Sequence, residues 1–150
     1  MIDANRAADF FANPNAPDQK PLTDWIVGRR GRLVFGGTNA IELERVAIAK
    51  AVLVEWLRSG LAVRVRDSDV DQEQTAVERL PLRSDDPHVL ALSRLSGARV
   101  LYTEDRALMD DFTDRNLVPT PKGKVYRNAT HARILGWACS CPAAPRRRRR

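Results

Sequence analysis

The chain is expected to fold as an α/β domain around a parallel sheet, and three observations predict it. Residues 84–112 read as helix, tight turn, buried strand and second helix, the pattern of a crossover unit joining parallel strands. Short apolar, β-favouring runs at 33–35 and 61–66 are separated by a long helical pattern, so strands alternate with helices. Acidic residues stand where strands give way to helices, the edge at which open α/β sheets bind ligands.

Taken in order, Met1 and Ile2 are a very short strand, followed by Asp3 and Asn5 and a helix over residues 6–11. Residues 13–21 hold three prolines and two asparagines and read as a loop. Arg29, Arg30 and Arg32 form a basic cluster before the strand at 33–35, which Gly36 and Gly37 close as a turn. A double glycine can cradle phosphate, but G-x-x-x-x-G-K-[ST] is lacking here. Residues 39–59 predict a single helix with Glu42, Val46, Ala49, Leu53 and Trp56 along one inward line. Glu44 stands about 200° around from Glu42, so the two cannot face one site. Asn39 and Glu42 also fit a capping box.

Ser59-Gly60 ends that helix, and residues 61–66 alternate as a strand. Residues 67–80 are an acidic helix or loop lacking the glycine and terminal glutamate of a calcium loop. Asp86-Pro87 is a helix start, with an Asx cap and a proline at the first helical position. Ser96-Gly97 ends the helix. The strand at 99–103 runs into Glu104 and Asp105, and helical spacing resumes at 107–112. A loop over 119–124, a short strand at 125–126 and a last helix at 129–137 complete the order.

A length of 150 residues suits one domain with a single core. No apolar run approaches the ~20 residues of a membrane span, and no basic-then-apolar leader is visible, so a cytoplasmic protein is expected. Cys139 and Cys141 offer too few ligands for structural zinc and read as reduced thiols. The net charge of +6 comes mostly from Arg146 to Arg150, because the other 20 of the 25 basic residues nearly balance 19 acids. The arginine tail, set apart as residues 138–150, reads either as a solvated end or as an arm that holds phosphates without reading sequence. The folded unit is placed at residues 1–137.

Asp3, Glu42, Asp86 and Asp105 are each explained singly by a helix cap. Jointly they point further, because strand exits share one edge of a parallel sheet and acids placed there converge. Ionised carboxylates packed together repel unless a cation neutralises them, and an all-oxygen set suits Mg²⁺ or Mn²⁺ better than zinc. His88 and His131 have no evident nucleophile nearby, and His88 is expected on a helix surface.

In its order of motifs the stretch D-x-x-[hydrophobic]-L-A, glycine turn and strand ending T-x-D resembles the C-terminal half of a PIN domain, carried here by Asp86 in DPHVLAL and Asp105 in LYTEDRAL. Asp3 and Asn5 match the family's first motif, although the strand before them is short, and Glu42 matches its middle-helix E-L. The resemblance covers residues 1–115. It implies a three-layer α/β/α sandwich with a central parallel sheet and a metal-dependent ribonuclease that hydrolyses RNA phosphodiesters with Mg²⁺ or Mn²⁺. It further implies Asp3, Glu42, Asp86 and Asp105 as catalytic metal ligands, with Asn5 and Thr103 in support. Arg29, Arg30 and Arg32 are candidate RNA contacts on charge alone. Many PIN proteins are toxins held by an antitoxin protein, and they dimerise, so an antitoxin partner and a homodimer are expectations of the same kind. The alternative is a PIN-like module that binds nucleic acid or protein without cutting.

Overall fold

The computed structural model describes residues 1–136. The arginine tail, both cysteines and Trp137 lie outside the described residues. The chain forms α1 (Ala4–Ala12), α2 (Lys20–Val27), β1 (Leu33–Gly36), α3 (Gly37–Glu44), α4 (Ala47–Ser59), β2 (Ala62–Val65), α5 (Asp67–Val77), α6 (Pro87–Ser96), β3 (Val100–Tyr102), α7 (Arg106–Thr113) and β4 (Lys124–Tyr126), then a 3₁₀ helix at Ala129–Gly136. Eight helices and short parallel strands in two small sheets thus make a mixed α/β chain among the described residues. None of those helices is long and apolar enough to cross a membrane.

β1 pairs with β2, Leu33 opposite Ala62, and β3 pairs with β4, Leu101 opposite Val125; both ladders are parallel. Ile2 adds a parallel bridge to Tyr102, with Tyr102 N–H donating to the Met1 carbonyl and Asp3 N–H to the Tyr102 carbonyl, each at 3.0 Å. The expected short first strand is thus a single bridge at Ile2, and it delivers Asp3 beside the exit of β3.

Alternate strand residues enter two separate apolar clusters, as a period of two requires. Ile2, Leu33, Phe35, Ala62, Tyr102 and Tyr126 pack with Phe10 and Phe11 of α1 and with Trp25 of α2. Met1, Val34 and Leu101 pack instead with Val70 of α5, residues 89–92 of α6, and Leu108 and Phe112 of α7.

The helix expected over 39–59 is two helices, α3 and α4. Val46 is extended at φ −88° and ψ 108°, and its N–H closes a short turn on the Leu43 carbonyl. Ala40, Leu43, Ala49 and Leu53 all enter the first cluster. At ~100° per residue, Ala49 and Leu53 lie ~240–280° on from Leu43, so a straight helix would turn them away. The break re-aims them.

Other boundaries moved for tertiary reasons. Pro21, read as loop, occupies the first turn of α2, where its missing N–H costs nothing. The expected double-glycine turn is instead the last residue of β1 and the first of α3. Gly37 has φ +57° and gives its N–H to Asp67 Oδ1 at 2.9 Å, so the chain's own carboxylate takes that donor. Residues 67–77 are helix, and the last helix is 3₁₀.

Candidate functional site

Three of the four acids stand at N-caps: Asp3 of α1, Asp86 of α6 and Asp105 of α7. Capping accounts for only one. Asp105 accepts from Leu108 N–H at 3.2 Å, whereas neither Asp3 nor Asp86 makes a side-chain cap bond. Asp105→Ala is accordingly expected to cost about 1 kcal/mol of stability, read in a urea melt, while Asp105→Asn keeps most of it.

Asp3 is turned to another use. It is buried, and Thr103 at the end of β3 donates its hydroxyl to Asp3 Oδ2 at 2.7 Å. The same hydroxyl accepts from Asp105 N–H at 3.1 Å. One side chain thus ties the exit of the first strand to the exit of β3, and Thr103 is fully buried while doing so. Nearby, Arg6 reaches the Tyr102 hydroxyl at 2.8 Å and Glu104 at 3.2 Å. It clamps α1 to the β3 exit without pairing with Asp3.

Asp86 arrives on a loop fixed from below. Asp111 of α7 is wholly buried and accepts from the N–H groups of Arg83 (3.0 Å) and Ser84 (2.9 Å), just before Asp86. Burial raises the Asp86 pKa above the ordinary carboxylate range, and the charge of Asp3 adds to this. His88 pulls the other way, while Asp105 and Glu42 raise it further. Asp86 therefore senses all three other acids, which three different elements bring towards it.

Glu42 lies within α3, and the capping box with Asn39 is not formed, because Asn39 is already the third residue of the helix. Asn39 is buried, with Nδ2 donating to the Ile2 carbonyl at 3.0 Å and Oδ1 left without a partner. Glu42 is half-buried and meets His88 Nε2 through Oε2 at 3.1 Å. His88 is not a surface residue. It is 5% exposed, because α6 packs against both α3 and α5 and is covered along most of its length.

The remaining candidates stand apart. Asn5 is exposed on the first turn of α1. Arg29, Arg30 and Arg32 are exposed at the entry to β1, the opposite end of that strand from α3 and Glu42. Spacing along the sequence could not reveal His88 or Asp111, since their partners are 46 and 27–28 residues away.

The donor chemistry fits a hard divalent cation: four carboxylates, and on α3, one turn before Glu42, the buried amide oxygen of Asn39 without a partner. Glu42 pairs with His88, and Arg6 beside the β3 exit pairs with Asp9 and Glu104 rather than with Asp3. The side chains as they stand do not form a closed cage. Among the described residues, no group of three or more His, Cys, Asp or Glu is placed to hold a metal ion. No family model, curated protein or solved structure matches the chain.

Proposed function

We propose that the chain is a Mg²⁺- or Mn²⁺-dependent endoribonuclease of the PIN-like kind, hydrolysing RNA phosphodiesters at Asp3, Glu42, Asp86 and Asp105. The observation that carries this reading is the gathering of acids around Asp86: burial and the charges of Asp3, Asp105 and Glu42, brought from other elements, raise its pKa against the pull of His88. Such an arrangement is costly unless something cationic joins it.

The architecture that goes with this reading is one central parallel sheet between two helix layers. In it the β1–β2 ladder and the β3–β4 ladder would flank the Met1–Ile2 segment. The division of alternate strand residues between two clusters supports it, as does the Asn39 bond to the Ile2 carbonyl, which links the exit of β1 to the first strand.

The residues have separable tasks. Thr103 holds Asp3 by Oδ2, Leu108 N–H holds Asp105 by Oδ1, and His88 holds Glu42 by Oε2. Each carboxylate keeps a second oxygen for another partner. Asp86 uses neither oxygen for its cap. A bound Mg²⁺ or Mn²⁺ would supply a more acidic water and neutralise charge on the phosphodiester. The exposed arginines at the β1 entry, the arginine tail, an antitoxin partner and a homodimer belong to this proposal as expectations of the resemblance.

One observation favours a second reading. Because no three acids stand ready as a cage, the same fold could bind RNA or protein without cutting it. Incubating a generic single-stranded RNA with the protein and Mn²⁺, and separately with EDTA, distinguishes them. The nuclease cuts only with Mn²⁺; a binding module retains the RNA intact in both.

A further inference from the structure

His88 is a buried polar group that the acid set does not itself require. It stands in the first turn of the buried helix α6, where Val89, Leu90, Ala91, Leu92, Ser93 and Ser96 are buried as well. An ionised carboxylate only accepts hydrogen bonds, so the ring nitrogen facing Glu42 carries the proton. The contact is His88 Nε2 to Glu42 Oε2, 3.1 Å, between α6 and α3.

Glu42 needs such a partner more than the other acids do. Asp3, Asp86 and Asp105 sit on short side chains at strand exits or helix starts, which fix where they point. Glu42 has a longer side chain, on a helix surface, and that side chain is 26% exposed. Left alone it would sample several rotamers in solvent. The α3 turn just before it carries a second, independent sign of a ligand. Asn39, 1% exposed, presents an unpartnered Oδ1 while its Nδ2 is spent on the carbonyl preceding Asp3.

Resting on the cation-site reading above, we propose that His88 is a positioning residue, whose Nε2–H fixes Glu42 by Oε2 so that Oε1 joins Asp3, Asp86 and Asp105 around a divalent cation. His88 itself touches neither cation nor substrate. Removing an outer partner of this type typically weakens metal binding ~10–100-fold.

The test is Mn²⁺ titration calorimetry on the full chain, with melting of the metal-free protein as a fold control. His88→Leu keeps the bulk and loses the donor, and is expected to weaken Mn²⁺ binding ~10–100-fold. His88→Gln places an amide N–H near the position of Nε2 and is expected to restore most of that affinity; His88→Asn, too short to reach Glu42, is not. In a Glu42→Ala background, His88→Leu should cause no further loss. If His88→Leu fails to fold, the Gln and Asn variants alone decide the matter: equal Mn²⁺ affinity in both overturns the assignment. Wild-type binding with an unchanged His88→Leu affinity, or an undiminished His88 effect without Glu42, also overturns it while leaving the cation site standing. A wild-type protein that binds no Mn²⁺ removes both.

Discussion

Asp86→Asn is expected to reduce Mn²⁺-dependent RNA cleavage about a thousandfold, corresponding to ~4 kcal/mol of barrier, without lowering the melting temperature of the metal-free protein. Activity falls because an amide cannot replace a ligand charge. Stability holds because the Asp86 carboxylate makes no cap bond, so nothing structural is lost. The pH dependence follows from the raised pKa. An unfolded Asp titrates near ~3.9, and the folded group titrates higher, so folding takes up a proton between the two values. Asp86 therefore makes stability fall as pH rises through that window, and above it the charge remains a fixed cost. Asp86→Asn removes the cost, so its metal-free melting temperature should equal or exceed wild type at neutral pH. The two should converge below the unfolded value. A clear loss of stability at pH 7 would show that the Asp86 carboxylate makes a stabilising contact that an amide cannot replace.

The second large effect is structural and lies one step behind the site. Asp111→Ala is expected to destabilise the protein by about 3 kcal/mol, because the N–H groups of Arg83 and Ser84 lose a charged acceptor in a buried place. At this chain length that corresponds to ~10 °C in melting temperature. The distant contact with the Arg83 guanidinium, 3.7 Å and largely exposed on the arginine side, adds little. Freed of its anchor, the 83–86 loop no longer holds Asp86, so Mn²⁺ binding should weaken as well. Differential scanning calorimetry with and without Mn²⁺ reads both; a melting temperature within 2–3 °C of wild type would mean that the loop is held by other contacts.

How far the sequence shows this arrangement depends on the range of the interactions. Asp86-Pro87, Gly97 and the 100–102 strand were legible because a cap, a proline, a left-handed glycine and an apolar run are local signals. Asp3, Glu42, Asp86 and Asp105 were legible as candidates for the same reason: each lies at or near an element boundary. What each carboxylate bonds to was not. Thr103 meets Asp3 across 100 residues and His88 meets Glu42 across 46, contacts set only by how strands and helices pack. The break at Val46 was hidden because residues 39–59 contain no Gly or Pro, and only the need to bury Leu43 and Leu53 in one cluster produces it. His88 went unseen as a buried residue because an imidazole on an apolar helix has no signature of its own; its role comes from the partner on α3.

The most direct measurement is an anomalous difference map from a crystal of the wild-type protein grown with Mn²⁺. A peak is expected at the junction of Asp3, Glu42, Asp86 and Asp105, with carboxylate oxygens from at least three of them at ~2.0–2.6 Å, and with His88 still on Glu42. A well-ordered map with no peak there, or with Mn²⁺ held only by residues elsewhere, would contradict the cation-site reading.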